Sequence, residues 1–98
     1  MEKHTPSCQL IVVKLLVAQD KVRATMSALQ GAAVMGLTFD DMLDVVRALT
    51  DADFYKSMTT HLDHRVWQDV YRPATSVGEV YLKLTVIDEV LIVSFKEL

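Results

Sequence analysis

A single cysteine, Cys8, excludes an internal disulfide, and its thiol reads either as a small buried hydrophobe or as a reactive nucleophile. Long apolar runs are missing as well. The densest, Leu10 to Ala18, is interrupted by Lys14 and reaches about half the length of a membrane-spanning helix. No secretory signal is visible, since Met1 to Ser7 lead into that stretch without a small-residue cleavage site. These absences, with the free thiol, fit a cytoplasmic protein. Only two prolines and three glycines occur, with no linker, repeat or low-complexity tract, so residues 1–98 read as one domain. An excess of positive charge is lacking too: ten Lys/Arg stand against thirteen Asp/Glu, for a net charge of −3. From Asp51 onward the balance is five to eight. Phosphate neutralisation needs a basic face, so composition argues against direct DNA binding and restricts any RNA chemistry to a local cationic patch.

What is present is a core. Hydrophobic residues make up 51% of the chain and charged ones 23%, which rules out wholesale disorder. Thr5-Pro6 reads as an N-cap with proline at the first helical position, and Gln9 to Gln19 as the helix that follows. Thr25 can cap a second helix, whose apolar residues include Met26, Leu29 and Ala33 and which Gly36 would end. Thr38 caps a third, with Asp41 in its first turn and Leu37 placed to staple against Met42. Met42, Val45, Val46 and Leu49 recur at helical spacing and form its core stripe. Asp40, Asp41 and Asp44 read as a solvated face at the helix N-terminus.

After Asp51 the period changes to two. Strands are expected at Phe54–Thr60, Val66–Arg72, Glu79–Ile87 and Val90–Lys96, with Pro73 ending the second. Val80, Leu82, Leu84 and Val86 fall on one face, with Tyr81, Lys83 and Thr85 on the other. In the last strand Leu91, Val93 and Phe95 share a face opposite Ile92, Ser94 and Lys96. The fold class is therefore α+β: three helices on one face of a mainly antiparallel sheet.

Register locates the candidate chemistry. A tight hairpin with Asp88-Glu89 at its tip pairs Ile87 with Val90, Thr85 with Ile92, Lys83 with Ser94 and Tyr81 with Lys96. Opposed residues project to one face, so Tyr81 lies beside Lys96, with Lys83 and Ser94 next along. Closing the loop around Leu62 brings Lys56 opposite Gln68 and Met58 beside Val66. Lysines on one surface suit a phosphodiester, because they neutralise charge growing on phosphoryl oxygens while glutamine orients by hydrogen bonds. RNA supplies its own nucleophile, the 2′-hydroxyl, and needs only a general base and a general acid. The same pattern also suits an exposed strand face with no function. His61, Asp63 and His64 share a loop, but their spacing matches no recognised zinc set, so no metal is assigned. Trp67 and Tyr71 sit opposite Gln68 and read as core, or as base-stacking platforms. Arg72, on the Gln68 face, suits a phosphate, a target base or a surface ion pair.

Several runs have a familial look. Phe54-Tyr55-Lys56-Ser57-Met58-Thr59-Thr60, Asp63-His64 and Trp67-Gln68-Asp69-Val70-Tyr71-Arg72-Pro73 closely resemble the central motif of MqsR toxins. Val80-Tyr81-Leu82-Lys83 and Val90-Leu91-Ile92-Val93-Ser94-Phe95-Lys96-Glu97 are similar to the family's C-terminal hairpin. The opening Met1-Glu2-Lys3, Thr5-Pro6 and Gly36-Leu37 fit too, while between Cys8 and Met35 the likeness is mainly one of spacing and length. The resemblance implies a RelE-like fold and an mRNA interferase that works without metal or other cofactor, cutting at GC-containing triplets, typically GCU. It implies catalytic residues at Lys56, Gln68, Tyr81 and Lys96, and RNA-binding ones at Tyr55, Met58 and Arg72. It also implies a partner, an MqsA-like zinc-binding antitoxin with a helix-turn-helix domain. A catalytically silent module that only occupies that antitoxin is the alternative.

Overall fold

A computed structural model describes residues 1–98. In chain order the elements are β1 (Glu2–Lys3), α1 (Leu10–Ala18), β2 (Val22–Ala24), α2 (Met26–Val34) and α3 (Phe39–Arg47). A single 3-10 turn, Asp51–Asp53, leads into β3 (Phe54–Thr59), β4 (Trp67–Tyr71), β5 (Ala74–Thr75), β6 (Gly78–Ile87) and β7 (Glu89–Glu97). The main sheet runs β1-β3-β4-β6-β7-β2, and the short β5 pairs off this path with β6. All pairings are antiparallel except β2 with β7. No helix is long and apolar enough to cross a membrane.

The helices share one buried layer with the sheet. Val13 and Val17 of α1, Ala28 and Ala32 of α2, and Met42, Leu43 and Val46 of α3 pack in one cluster with Leu82, Leu84, Ile92 and Phe95. The opposite sheet face is therefore free of helices. α3 is built as its sequence expects: Thr38 Oγ1 accepts from Asp41 N–H, and the Asp41 carboxylate accepts from Thr38 N–H, closing a reciprocal cap. In α2, Thr25 Oγ1 accepts from Ala28 N–H and also donates to the Val93 carbonyl, tying the helix start to β7. Gly36, at φ +78°, lets the chain leave α2.

Local signals fail where distant groups compete. Thr5-Pro6 does not start α1. Gln9 occupies the cap position without a side-chain bond, and the Ser7 and Cys8 N–H groups donate instead to the buried carboxylate of Asp69, each at 2.9 Å. Ser57 Oγ adds a third bond to that carboxylate at 2.6 Å, which satisfies a charge buried beneath the sheet. The inward face of α2 is Ala28 and Ala32, whereas Met26 and Ala33 are exposed and Leu29 is only half-buried. Small residues face inward there because α2 lies close against β7.

Register differs from expectation in two places. Asp88, at φ +64°, forms the hairpin tip alone, so Ile87 faces Glu89, Val86 faces Val90, Thr85 faces Leu91 and Leu84 faces Ile92. A bulge between Lys83 and Leu84 absorbs one residue, and beyond it the expected pairs Lys83–Ser94 and Tyr81–Lys96 are recovered. The bulge also switches faces: Val90, Ile92 and Phe95 turn into the core, so Leu91 does not share the face of Phe95. The second difference lies between β3 and β4, where Lys56 faces Val70 and Met58 faces Gln68. Lys56 is thus not opposite Gln68, nor Met58 beside Val66, because the turn between the strands is centred on Asp63 instead of Leu62, with Thr60 N–H donating to the Val66 carbonyl.

One polar group in the core has no partner. The Tyr71 hydroxyl is fully buried without a hydrogen bond, and burial pushes its phenol pKa well above the ordinary range. Tyr71→Phe is expected to raise unfolding stability by about 1 kcal/mol, read from urea denaturation, because it removes an unpaired donor. Clear destabilisation would show that the hydroxyl has a partner.

Candidate active site

The helix-free sheet face is built in rows. Opposed residues share a face, so the pairs Lys56–Val70, Val70–Lys83 and Lys83–Ser94 make one row across β3, β4, β6 and β7. One step along, Tyr81 pairs with Lys96, and Arg72 follows Tyr71 at the end of β4. One step the other way, Met58 pairs with Gln68, and Glu2 of β1 pairs with Met58. Val70 is fully buried although it faces away from the helices, and it does not belong to the main core cluster. It forms the floor of the face. The side chain of Lys56 beside it is only 19% exposed, as expected of a stem lying along apolar surface with its charge at the rim.

Aromatic rings organise the cations above this floor. The ammonium groups of Lys96 and Lys83 lie 5.4 and 5.7 Å from the Tyr81 ring centre. The Lys56 ammonium is 5.4 Å from the Tyr55 ring, and the Arg72 guanidinium is 4.8 Å from the same ring. Lys56 and Lys83 stand on either side of Val70 in one row, and Tyr81 follows one step along from Lys83 on the same face. A chain of net charge −3 thus concentrates Lys56, Arg72, Lys83 and Lys96 on one open surface. Asp41 and Asp44 lie elsewhere, lining a groove beside α3 where the sign is wrong for a phosphate, while Asp53 stands between that groove and the hollow beside Tyr55 and Arg72.

Of the side chains expected at a site, Lys56, Tyr81 and Lys96 come together with Tyr55 and Arg72. Gln68 and Met58 lie one row further along. Gln68 is a diagonal neighbour of Lys56, at a separation of about 7–8 Å between backbones, which side chains of this length can bridge. Trp67 and Tyr71 turn to the other face, Tyr71 into the core and Trp67 beneath the Lys3 ammonium, 4.1 Å from its ring centre. The loop candidates stay apart from the face. The Asp63 carboxylate is bound by Arg65 at 3.1 and 3.2 Å, which lowers its pKa. Cys8 is half-buried, and burial together with nearby Asp69 raises its thiol pKa, making it a poor nucleophile.

Sequence reasoning missed Glu2. Its Oε1 accepts a 2.6 Å hydrogen bond from the Lys56 ammonium. That bond lowers the Glu2 pKa and raises that of Lys56, so both groups carry charge at neutral pH. A two-residue strand has no periodicity to read, so its pairing to Met58 and Ser57 left no local signal. The surface offers fixed positive charge, hydroxyl and amide donors, and one carboxylate, arranged openly enough to receive a polymer. Such a set can hold a phosphodiester and stabilise charge that develops on it.

Two comparisons bear on this arrangement. A family model described as "Motility quorum-sensing regulator, toxin of MqsA" matches residues 5–97. The mRNA interferase toxin MqsR of Escherichia coli (strain K12) is 59% identical over 97 residues, covering 99% of this chain and 99% of that protein.

Proposed function

The chain belongs to the motility quorum-sensing regulator (MqsR) toxin family, and on that premise we propose that it is a sequence-specific endoribonuclease acting on mRNA in the cytoplasm. The whole chain serves as one toxin domain of RelE-like architecture. Its action inhibits translation and growth until an MqsA-like antitoxin, zinc-binding and with a helix-turn-helix domain, neutralises it. The observation that carries the reading is the convergence of Lys56, Tyr81 and Lys96 on the helix-free face, with cations held against tyrosine rings.

The residues act on the phosphodiester as follows. The Lys56 ammonium, held charged by Glu2, stabilises the extra negative charge on the phosphoryl oxygens as the 2′-oxygen attacks. Lys96 or Tyr81, paired across β6 and β7, protonates the departing 5′-oxygen. Gln68 orients the substrate from the neighbouring row. Arg72 and Tyr55 flank a shallow hollow that includes Phe54 and Glu79, where a base can lie against the Tyr55 ring. Met58, beside Gln68, adds an apolar edge for RNA. No step requires a metal ion, and cleavage falls at GC-containing triplets, typically GCU.

The test uses the purified chain with a defined RNA containing GCU, in excess EDTA. Discrete cuts at that triplet are expected. Intact RNA together with tight antitoxin binding would overturn the enzyme and favour the silent module, the reading that the net charge of −3 supports.

A further inference from the structure

The groups placed around the phosphate donate protons or carry positive charge, yet transesterification also needs a group that takes a proton from the 2′-hydroxyl. Lysine and tyrosine side chains titrate near pH 10 in water, and an amide is not basic, so these residue types are poor acceptors at neutral pH. Lys56 is pushed further from that role by the carboxylate beside it.

β1 supplies an acceptor. Its pairing puts Glu2 on the same face as Met58 and therefore as Lys56 and Gln68. Glu2 Oε1 is bonded to Lys56, while its Oε2 has no protein donor and the side chain is 54% exposed. An ammonium has three donors, so Lys56 can hold Glu2 with one and the phosphoryl oxygen with another. A phosphate held in this way would have the Glu2 carboxylate within reach on the same face.

We propose that Glu2 is the general base of this site, a catalytic residue that removes the 2′-hydroxyl proton. The inference rests on the nuclease reading above. In the step, the 2′-O–H bond breaks and its proton passes to the Glu2 carboxylate as the 2′-oxygen bonds to phosphorus. The bond from phosphorus to the 5′-oxygen breaks, and that oxygen takes a proton from the acid on β6 or β7. The products are a 2′,3′-cyclic phosphate and a 5′-hydroxyl, and water then returns Glu2 and the acid to their starting forms. No oxidant or further reactant enters.

The groups facing Glu2 are Lys56 from β3, the α-amino group of Met1 and His4 from its own segment. All favour the ionised carboxylate, the Lys56 hydrogen bond most. Glu2 is therefore in its accepting form at neutral pH and loses it as pH falls through its lowered pKa. Cleavage should decline on the acid side accordingly.

The experiment compares wild type, Glu2→Gln and Glu2→Ala in single-turnover cleavage of the GCU-containing RNA, with EDTA, across the carboxylate titration range. Glu2→Gln is expected to slow cleavage by about 10²–10⁴-fold, the usual contribution of a general base, with RNA binding no weaker than in the wild type, since a negative charge beside the phosphate is removed. The acid-side decline should disappear in that variant, and added formate should restore part of the rate to Glu2→Ala. Cleavage by Glu2→Gln at the wild-type rate overturns the proposal. So does a slowed variant that keeps the acid-side decline and gains nothing from formate, which would leave Glu2 only positioning Lys56. A wild-type chain that leaves the RNA intact overturns the nuclease reading, and this proposal with it.

Discussion

Replacing Lys56 with alanine abolishes growth arrest on expression and slows cleavage of free RNA by about 10²–10³-fold, the usual cost of losing one electrostatic stabiliser of a transition state. The expectation follows from placement. Lys56 is the cation held between Glu2 and the Tyr55 ring, with its stem beside Val70. Without it, no ammonium on β3 faces the phosphate. The fold should survive, because the lost ion pair is at the rim of the sheet, where solvent screens it. Tyr81→Ala should likewise abolish toxicity, since it removes both a donor and the ring that organises Lys83 and Lys96. Growth inhibition is the readout, with circular dichroism confirming folding. Full toxicity from either well-folded variant would refute the assigned site.

Gly31→Ala is expected to cost about 3 kcal/mol or more of stability, from steric overpacking. The usual sign is the reverse: alanine in a helix interior is favoured over glycine by about 1 kcal/mol. Here a Cβ on Gly31 would run into the Phe95 carbonyl of β7, and Lys96 Cα lies 3.5 Å from the same point. Neither neighbour is a flexible side-chain tip. The helix must therefore lift from the strand or the strand must bend, moving Lys96 on the far face. Urea denaturation should show the loss, and cleavage should fall further than the folded fraction explains. A stabilised, fully active variant would show that α2 does not approach β7 this closely.

Gly31 also shows where sequence reading stops. Its place in an Ala- and Gly-rich helix reads as a local weakness, and only the tertiary approach to β7 reveals its purpose. Elements that carry their own signals were legible: α3 has a reciprocal cap and an apolar stripe, and β6 alternates along most of its length. β1, β2 and β5 were not, since two or three residues contain no period. Their partners lie far along the chain, as with Val22–Ala24 against Val90–Ile92.

The site was legible as a set of residues and less so as a geometry. Tyr81 beside Lys96 followed from alternation and turn placement, yet the hairpin tip was shifted by one. Val90-Leu91-Ile92-Val93 is apolar at both parities, so no pattern marks where the bulge falls. The same blindness put Lys56 opposite Gln68, because nothing in the polar stretch from His61 to Arg65 marks Asp63 as the centre of the turn. Net charge confined any RNA chemistry to a local patch without saying where that patch lies. Counting residues averages over the surface, whereas folding sends Lys56, Arg72, Lys83 and Lys96 to one face and leaves Asp40 and Asp44 on α3. Thr5-Pro6 failed as a cap because Asp69, more than sixty residues away in sequence, takes the N–H groups of Ser7 and Cys8.

Chemical mapping of the ends left on a ribosome-free, GCU-containing transcript, cut with the chelator present, is the most direct measurement of what the lysine-bearing sheet surface does. The account predicts a 2′,3′-cyclic phosphate facing a 5′-hydroxyl at a defined triplet, and no such ends from the Lys56→Ala protein. Ends of the opposite polarity, or the same cuts from the substituted protein, would contradict it.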